Sequence, residues 1–169
     1  MAAELFQLVD REGRPAGQAT REECHGNPLL IHLVVHLHVM DSEGRLLLQK
    51  RSMTKDTHPG RWDTSVGGHV RAGEEVMDAL RREAREELGI DAAEALFLYG
   101  YLYGSAFETE FARCFLLRYS GNLVADPEEI DEVRFFSLQE IQAMVGTASL
   151  TPMFEHELPM LMQRLESPR

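Results

Sequence analysis

Between Leu29 and Asp41 histidines are interleaved with aliphatic side chains. Ile31, Leu33, Val35, Leu37 and Val39 share one face, and His32, Val34, His36, His38 and Met40 share the other. A period of two is that of a strand, and a strand this long with two distinct faces is expected at the centre of a sheet. Further runs at residues 4–9, 46–51, 62–66, 95–103, 107–119 and 133–136 predict more strands, the turn SEGR joining 29–41 and 46–51 as a hairpin. From Val76 the period changes. Val76, Met77, Leu80, Ala84 and Leu88 recur at helical spacing, with Asp78, Arg81, Arg82 and Arg85 opposite. Ser137 with Glu140 three residues on predicts a capped helix through Val145, and Thr151-Pro152 opens a last helix that Pro159 should break or kink. DREGRPAG reads as a turn, residues 19–25 as a short helix or loop, and 52–61 and 120–129 as loops. Strands interleaved with helices predict an α/β fold, a mixed sheet with helices on its faces.

Composition narrows the class. With 169 residues, 44% hydrophobic and 27% charged, the chain suits one globular domain over residues 1–169. A net charge of −11 disfavours nucleic acid and anionic membranes as partners. No apolar run is long enough for a membrane span, and the start lacks a basic-then-apolar leader. The two cysteines, Cys24 and Cys114, make no framework, so a reducing, cytoplasmic setting is expected.

The candidate chemistry lies on the predicted helix. At about 100° per residue, Glu83, Glu86 and Glu87 fall within a sector roughly 100° wide at the border of the apolar stripe. Like charges at this spacing repel. Either the face is solvated and relieved by ion pairs such as Arg82 with Glu86, or it holds a divalent cation. Hard cations take carboxylate oxygens and can hold a substrate's phosphates. The stretch from Gly68 to Ile90 reads G-x5-E-x7-R-E-U-x-E-E-x-G-U (U, apolar), filled by Gly68, Glu74, Arg82, Glu83, Ala84, Glu86, Glu87, Gly89 and Ile90. It resembles, at every fixed position, the Nudix box of the Nudix hydrolase superfamily. The resemblance implies an α/β/α Nudix sandwich and cleavage of a diphosphate bond with Mg²⁺ or Mn²⁺. It makes Glu83, Glu86 and Glu87 metal ligands, with one of them or Glu110 activating water and Arg82 orienting the carboxylates. Gly67 and Gly68 would let backbone approach phosphate, and Lys50, Arg51, Lys55 and Arg61 would hold the distal phosphate.

A second resemblance is to the isopentenyl-diphosphate isomerase branch of that superfamily. It rests on His25 and His32 seven apart, PGRWDTSVGGHV (59–70) with His69, and FETEF (107–111) with Glu108 and Glu110. In that branch three histidines and two glutamates hold one metal. Carried over, His25, His32, His69, Glu108 and Glu110 would form a second site suited to Mn²⁺ or Zn²⁺. The branch's catalytic cysteine, aligned on Trp62 and His69, falls at Gly67, and here the hydrolase box is complete. Both departures favour hydrolysis of a small diphosphate, either a nucleoside diphosphate linked to another group or an isoprenoid diphosphate. An isomerase and a non-catalytic Nudix-fold binding module are the alternatives. Trp62, Tyr99, Tyr101, Tyr103 and Phe107 serve either as core or as pocket wall. The oligomeric state is open, a homodimer included.

Overall fold

The computed structural model describes residues 3–167. The expected domain of residues 1–169 therefore includes four positions outside the described residues. The long alternating stretch forms β3 (Ile31–Met40), the strand against which most of the sheet assembles. On one side it pairs in parallel with β8 (Thr109–Arg118), and β8 pairs antiparallel with β7 (Leu96–Gly104). On the other side it meets three neighbours in turn. These are β1 (Leu5–Val9), β6 (Val66–His69) and, at one register position only, β4 (Leu46–Arg51).

The predicted hairpin is therefore nominal. β3 and β4 pair at Met40 and Leu46 and then part. β4 pairs instead with β9 (Ile130–Phe136) and with β5 (Trp62–Asp63), while β6 runs along β3. The buried Ser65 spans the gap. Its hydroxyl accepts from the Val39 backbone N–H at 2.8 Å and donates to the Leu47 carbonyl at 2.6 Å.

Both faces of the sheet are covered, as a sandwich requires. Val35, Leu37 and Val39 pack against Leu80, Ala84 and Leu88 of α2 (Val76–Leu88). Met40, Leu46 and Leu48 pack with Ile141 of α3 (Leu138–Met144) and with Phe154, Leu158 and Leu161 of α4 (Pro152–Glu166). Each such fully buried aliphatic is worth about 1.5–3 kcal/mol. The cap of α3 is the expected Ser137–Glu140 box. Helix α2 ends at Gly89, which takes the left-handed conformation (φ 66°) and returns its N–H to the carbonyls of Ala84 and Arg85.

Two expectations are corrected in part. Pro159 lies inside α4 without breaking it, and α4 runs as one helix through residue 166. Its apolar contacts on the sheet face outweigh one lost backbone bond. The second half of DREGRPAG is not all turn, because Pro15 begins β2 (Pro15–Thr20), an edge strand paired with β1. Its sequence, PAGQAT, is mostly exposed and carries little strand propensity of its own, so pairing makes it a strand. The β1–β2 and β3–β4 turns are one device used twice. In Asp10-Arg11-Glu12-Gly13-Arg14 and Asp41-Ser42-Glu43-Gly44-Arg45, the Asp carboxylate accepts from the backbone N–H groups two and four residues on. The glycines stand at φ 79° and 78°. Thr20 then caps α1 (Arg21–His25) with a capping box.

Replacing Ser65 with alanine should leave a buried N–H and a buried carbonyl unpaired at the point where the sheet divides. A loss of roughly 2–4 kcal/mol of unfolding free energy is expected, read as a lowered urea midpoint with an unchanged slope.

Candidate active site

The divergence of β3 and β4 opens a cleft of about 830 Å³. Its walls bring together the helix carboxylates Glu83, Glu86 and Glu87, the strand residues Gly67, Gly68 and His69, and the pair Glu108 and Glu110.

The three helix carboxylates occupy three different environments. Glu87 is buried and accepts a hydrogen bond from Gln49 Nε2 at 2.7 Å. Burial pushes its carboxyl up to about 8, against the opposing pull of Gln49 and the Gly67 backbone. Glu83 is half-buried, and desolvation raises its pKa despite a 2.6 Å bond from Arg82 Nη1. Glu86 is 55% exposed and stands 3.5 Å from the same guanidinium nitrogen. The face is thus neither uniformly solvated nor a closed ligand cage, and the three do not form a group with all ligand atoms within 4.8 Å.

Arg82, read from the sequence both on the polar side of the helix and as the residue that orients the carboxylates, reaches Glu83 and Glu86. Its Nε and Nη2 bind Glu74 at 2.8 and 2.9 Å, and Nη2 also donates to the His69 carbonyl. This fork ties the loop before the helix to the strand and holds Glu83 at the same time. Gly68 makes room for it. A Cβ there would lie 2.1 Å from Glu83 Cδ, so the carboxylate passes directly over the backbone of β6. At Gly67 a Cβ would meet only ordinary contacts, 3.6 Å from His36 Cδ2 and 3.7 Å from Thr64 Cγ2.

The histidines and glutamates come together as two groups of three that share His32. His25, His32 and His69 present nitrogens within 4.8 Å of one another, and His32 does the same with Glu108 and Glu110. His25 Nε2 stands 3.3 Å from Glu108, and His32 Nε2 stands 3.8 Å from Glu108 and 3.5 Å from Glu110. His25 Nε2 and both nitrogens of His32 are buried without a hydrogen-bond partner. Burial, aided by nearby cationic groups, lowers the pKa of His25 and takes that of His69 well down, so both imidazoles keep a lone pair at neutral pH. Burial also works on Glu110, but the surrounding His32, His36 and His25 hold its carboxyl below the usual value. Orphaned imidazole nitrogens beside two carboxylates fit a transition metal.

Of the four expected phosphate-binding cations, Arg51 and Lys55 line the cleft and Lys50 and Arg61 do not. Gln49 turns inward to Glu87, and side chains alternate along a strand, so Lys50 projects from the other face. Arg61 directs its guanidinium at the Leu150 carbonyl. Arg51 binds Thr57 and lies 3.5 Å from Asp63, while Lys55 pairs with Glu129. Tyr103 lines the cleft, Trp62 packs edge-on against Phe136, and Phe107 is exposed.

Sequence reasoning missed three participants. Phe6 stacks on His69 with ring centroids 4.0 Å apart, Gln49 binds Glu87, and Glu157 is buried behind the cleft. Only Glu157 was signalled, as an acid three residues after Phe154 and four before Leu161 on the apolar stripe of a helix.

The sandwich, with a strand, glycine loop and carboxylate-bearing helix at its cleft, is the Nudix fold. The NUDIX domain family pattern matches residues 30–156, and the chain belongs to that family. It is 33% identical over 151 residues to an isopentenyl-diphosphate Delta-isomerase of Brevibacterium linens, spanning 86% of this chain and 83% of that protein. It is 36% identical over 144 residues to an uncharacterized Nudix hydrolase of Yersinia pestis, spanning 83% of this chain and 76% of that protein. A crystal structure of a Deinococcus radiodurans protein is similar with a TM-score of 0.78 and 25% identity, covering 97% of this chain and all of that one.

Gly68→Ala should displace Glu83 from Arg82 while sparing the fold, because the clash is with the Glu83 side chain from Cγ outward and not with backbone. A crystal structure of the variant should show Glu83 turned away, with unfolding free energy changed by less than about 1 kcal/mol.

Proposed function

We propose that this chain is a divalent-metal-dependent hydrolase that cleaves the phosphoanhydride bond of a small diphosphate. The observation that carries the reading is Glu87, a carboxyl buried beside the cleft with a neutral amide as its side-chain partner, one helical turn from the half-buried Glu83. An acid so placed is costly to ionise unless a cation faces it.

Glu83, Glu86 and Glu87 would hold Mg²⁺ or Mn²⁺, which when bound neutralises phosphate oxygens and acidifies a water. Arg82 fixes Glu83 and the loop carboxylate Glu74 in relation to each other. Arg51 and Lys55 supply positive charge for the distal phosphate at the cleft wall, and the backbone at Gly67 and Gly68 leaves the approach open. The proton of the attacking water goes to one of Glu83, Glu86, Glu87 or Glu110. His25, His32, His69, Glu108 and Glu110 would hold a second ion, Mn²⁺ or Zn²⁺, in keeping with their unpartnered nitrogens. The group attached to the diphosphate is a nucleoside or an isoprenoid.

Isomerisation, the activity named for the Brevibacterium relative, lacks a thiol at this cleft. Cys24 is buried among Phe6 and Ala19, and Cys114 beside Tyr101 and Val34, and neither lines the wall. A purely ligand-binding module is disfavoured by the complete set of box carboxylates.

Two measurements test the reading. Phosphate release from a panel of nucleoside and isoprenoid diphosphates should require Mg²⁺ or Mn²⁺ and fall by orders of magnitude in Glu86→Gln and Glu87→Gln. Full activity in both variants would remove the site, and allylic interconversion without phosphate release would favour the isomerase. Metal uptake should also release protons. The metal-free carboxyl of Glu87, at about 8, is mostly protonated at pH 7, so a cation binding there displaces that proton. Calorimetry in buffers of different ionisation enthalpy should show release at pH 7, fading as the pH rises past about 8.

A further inference from the structure

Glu157 lies on the buried stripe of α4 and has no exposed surface. Its oxygens meet four donors. His36 Nδ1 at 2.6 Å and the Tyr101 hydroxyl at 2.9 Å reach Oε2, while His38 Nε2 at 2.5 Å and the Tyr99 hydroxyl at 3.0 Å reach Oε1. Nothing assigned to the cleft so far uses this cluster.

The two histidines sit two residues apart on one face of β3 and grip the same carboxylate, yet they are not equivalent. The side chain of His38 is 1% exposed, and its second ring nitrogen meets Thr64 Oγ1 at 3.2 Å. Both of its nitrogens are spent within the protein. The second nitrogen of His36, Nε2, has no hydrogen-bond partner among the described residues, and His36 lines the cleft. Opposite it stands Gly67, where a Cβ would come within 3.9 Å of that nitrogen. Because no side chain is there, the ring edge stays open to the cleft.

Charge makes an open donor useful here. The same walls carry Glu83, Glu86, Glu87, Glu108 and Glu110, which repel any phosphate. Arg51 and Lys55 already face Asp63 and Glu129. Burial alone would lower the pKa of His36, but the charge and hydrogen bond of Glu157, with Asp63 and Glu110 beyond, raise it to about 9. The ring therefore carries both N–H groups at neutral pH.

We infer that His36, held by Glu157, is a substrate-binding residue whose Nε2–H donates to an anionic oxygen of the diphosphate. Glu157 is the positioning residue: it fixes the ring plane and keeps the donor charged without itself entering the cleft. The inference rests on reading the cleft as a diphosphate site but not on hydrolysis there.

Inorganic pyrophosphate with Mg²⁺ is the probe, and binding to the full chain is measured by calorimetry, so that turnover plays no part. His36→Asn retains an amide where Nδ1 meets Glu157 and removes the Nε2 donor. His38→Gln likewise keeps its bond to Glu157 and serves as the matched control. Affinity should fall about ten- to a hundredfold in His36→Asn, as expected for one hydrogen bond to a charged group, and change less than about twofold in His38→Gln. In wild-type protein labelled with ¹⁵N-histidine, the Nε2 resonance of His36 should shift on adding magnesium pyrophosphate while that of His38 stays. That readout stands even if a variant fails to fold. Equal losses in the two variants, an unmoved His36 resonance, or no binding of pyrophosphate by the wild type would overturn the assignment. Binding that behaves as expected in a protein releasing phosphate from none of the panel would overturn the hydrolase reading alone.

Discussion

β3 and β4 touch at Met40 and Leu46 and then part, and the segment from Trp62 to His69 is wedged into the opening. Ser65 keeps the wedge in register by satisfying one backbone group from each strand. A continuous ladder here would have been the simpler way to pair two consecutive strands, but it would have closed the sheet. Because the strands diverge, Gly67 and Gly68 run beside α2 with no side chains between strand and helix. The carboxylate of Glu83 can then rest directly on backbone. The cleft is thus a property of strand pairing, and the helix carboxylates are placed by it.

Two buried glutamates mark the extremes of what this architecture does with charge. Glu157 is surrounded by four donors, two of them imidazoles, which pull its pKa well down against the cost of burial. Glu87 has Gln49 and a backbone group, and burial wins. The first is internally complete and can serve as a rigid support. The second is left short of positive charge on the side that faces the cleft. The contrast sets an acid whose charge is met within the protein against one whose charge is not.

Much of this was legible in the chain. The alternation through Leu29–Asp41 located β3 and assigned its faces correctly, because one face packs as aliphatic core while the other carries the histidines, two of them bound to Glu157. The box spacing located α2 and its carboxylates, and the pairings His25/His32 and Glu108/Glu110 located the imidazole cluster. What remained hidden depends on partners remote in sequence. β2 owes its strand to β1, Lys50 and Arg61 were counted by charge without knowledge of which face they occupy, and the bond from Arg82 to the His69 carbonyl depends on how β6 lies against α2. Phe6 gave no sign, since an apolar residue in a short strand looks the same whether it fills a core or backs a histidine.

The stacking of Phe6 on His69 ties the imidazole cluster to residues ahead of the shared family pattern. The family pattern starts at residue 30, yet Phe6 and His25 both precede it. A protein trimmed to the shared pattern would retain every acid of α2 while forfeiting one imidazole and the ring that braces another. The segment ahead of the pattern, β1 with Phe6 and α1 with His25, thus completes a ring cluster that His32 and His69 only begin.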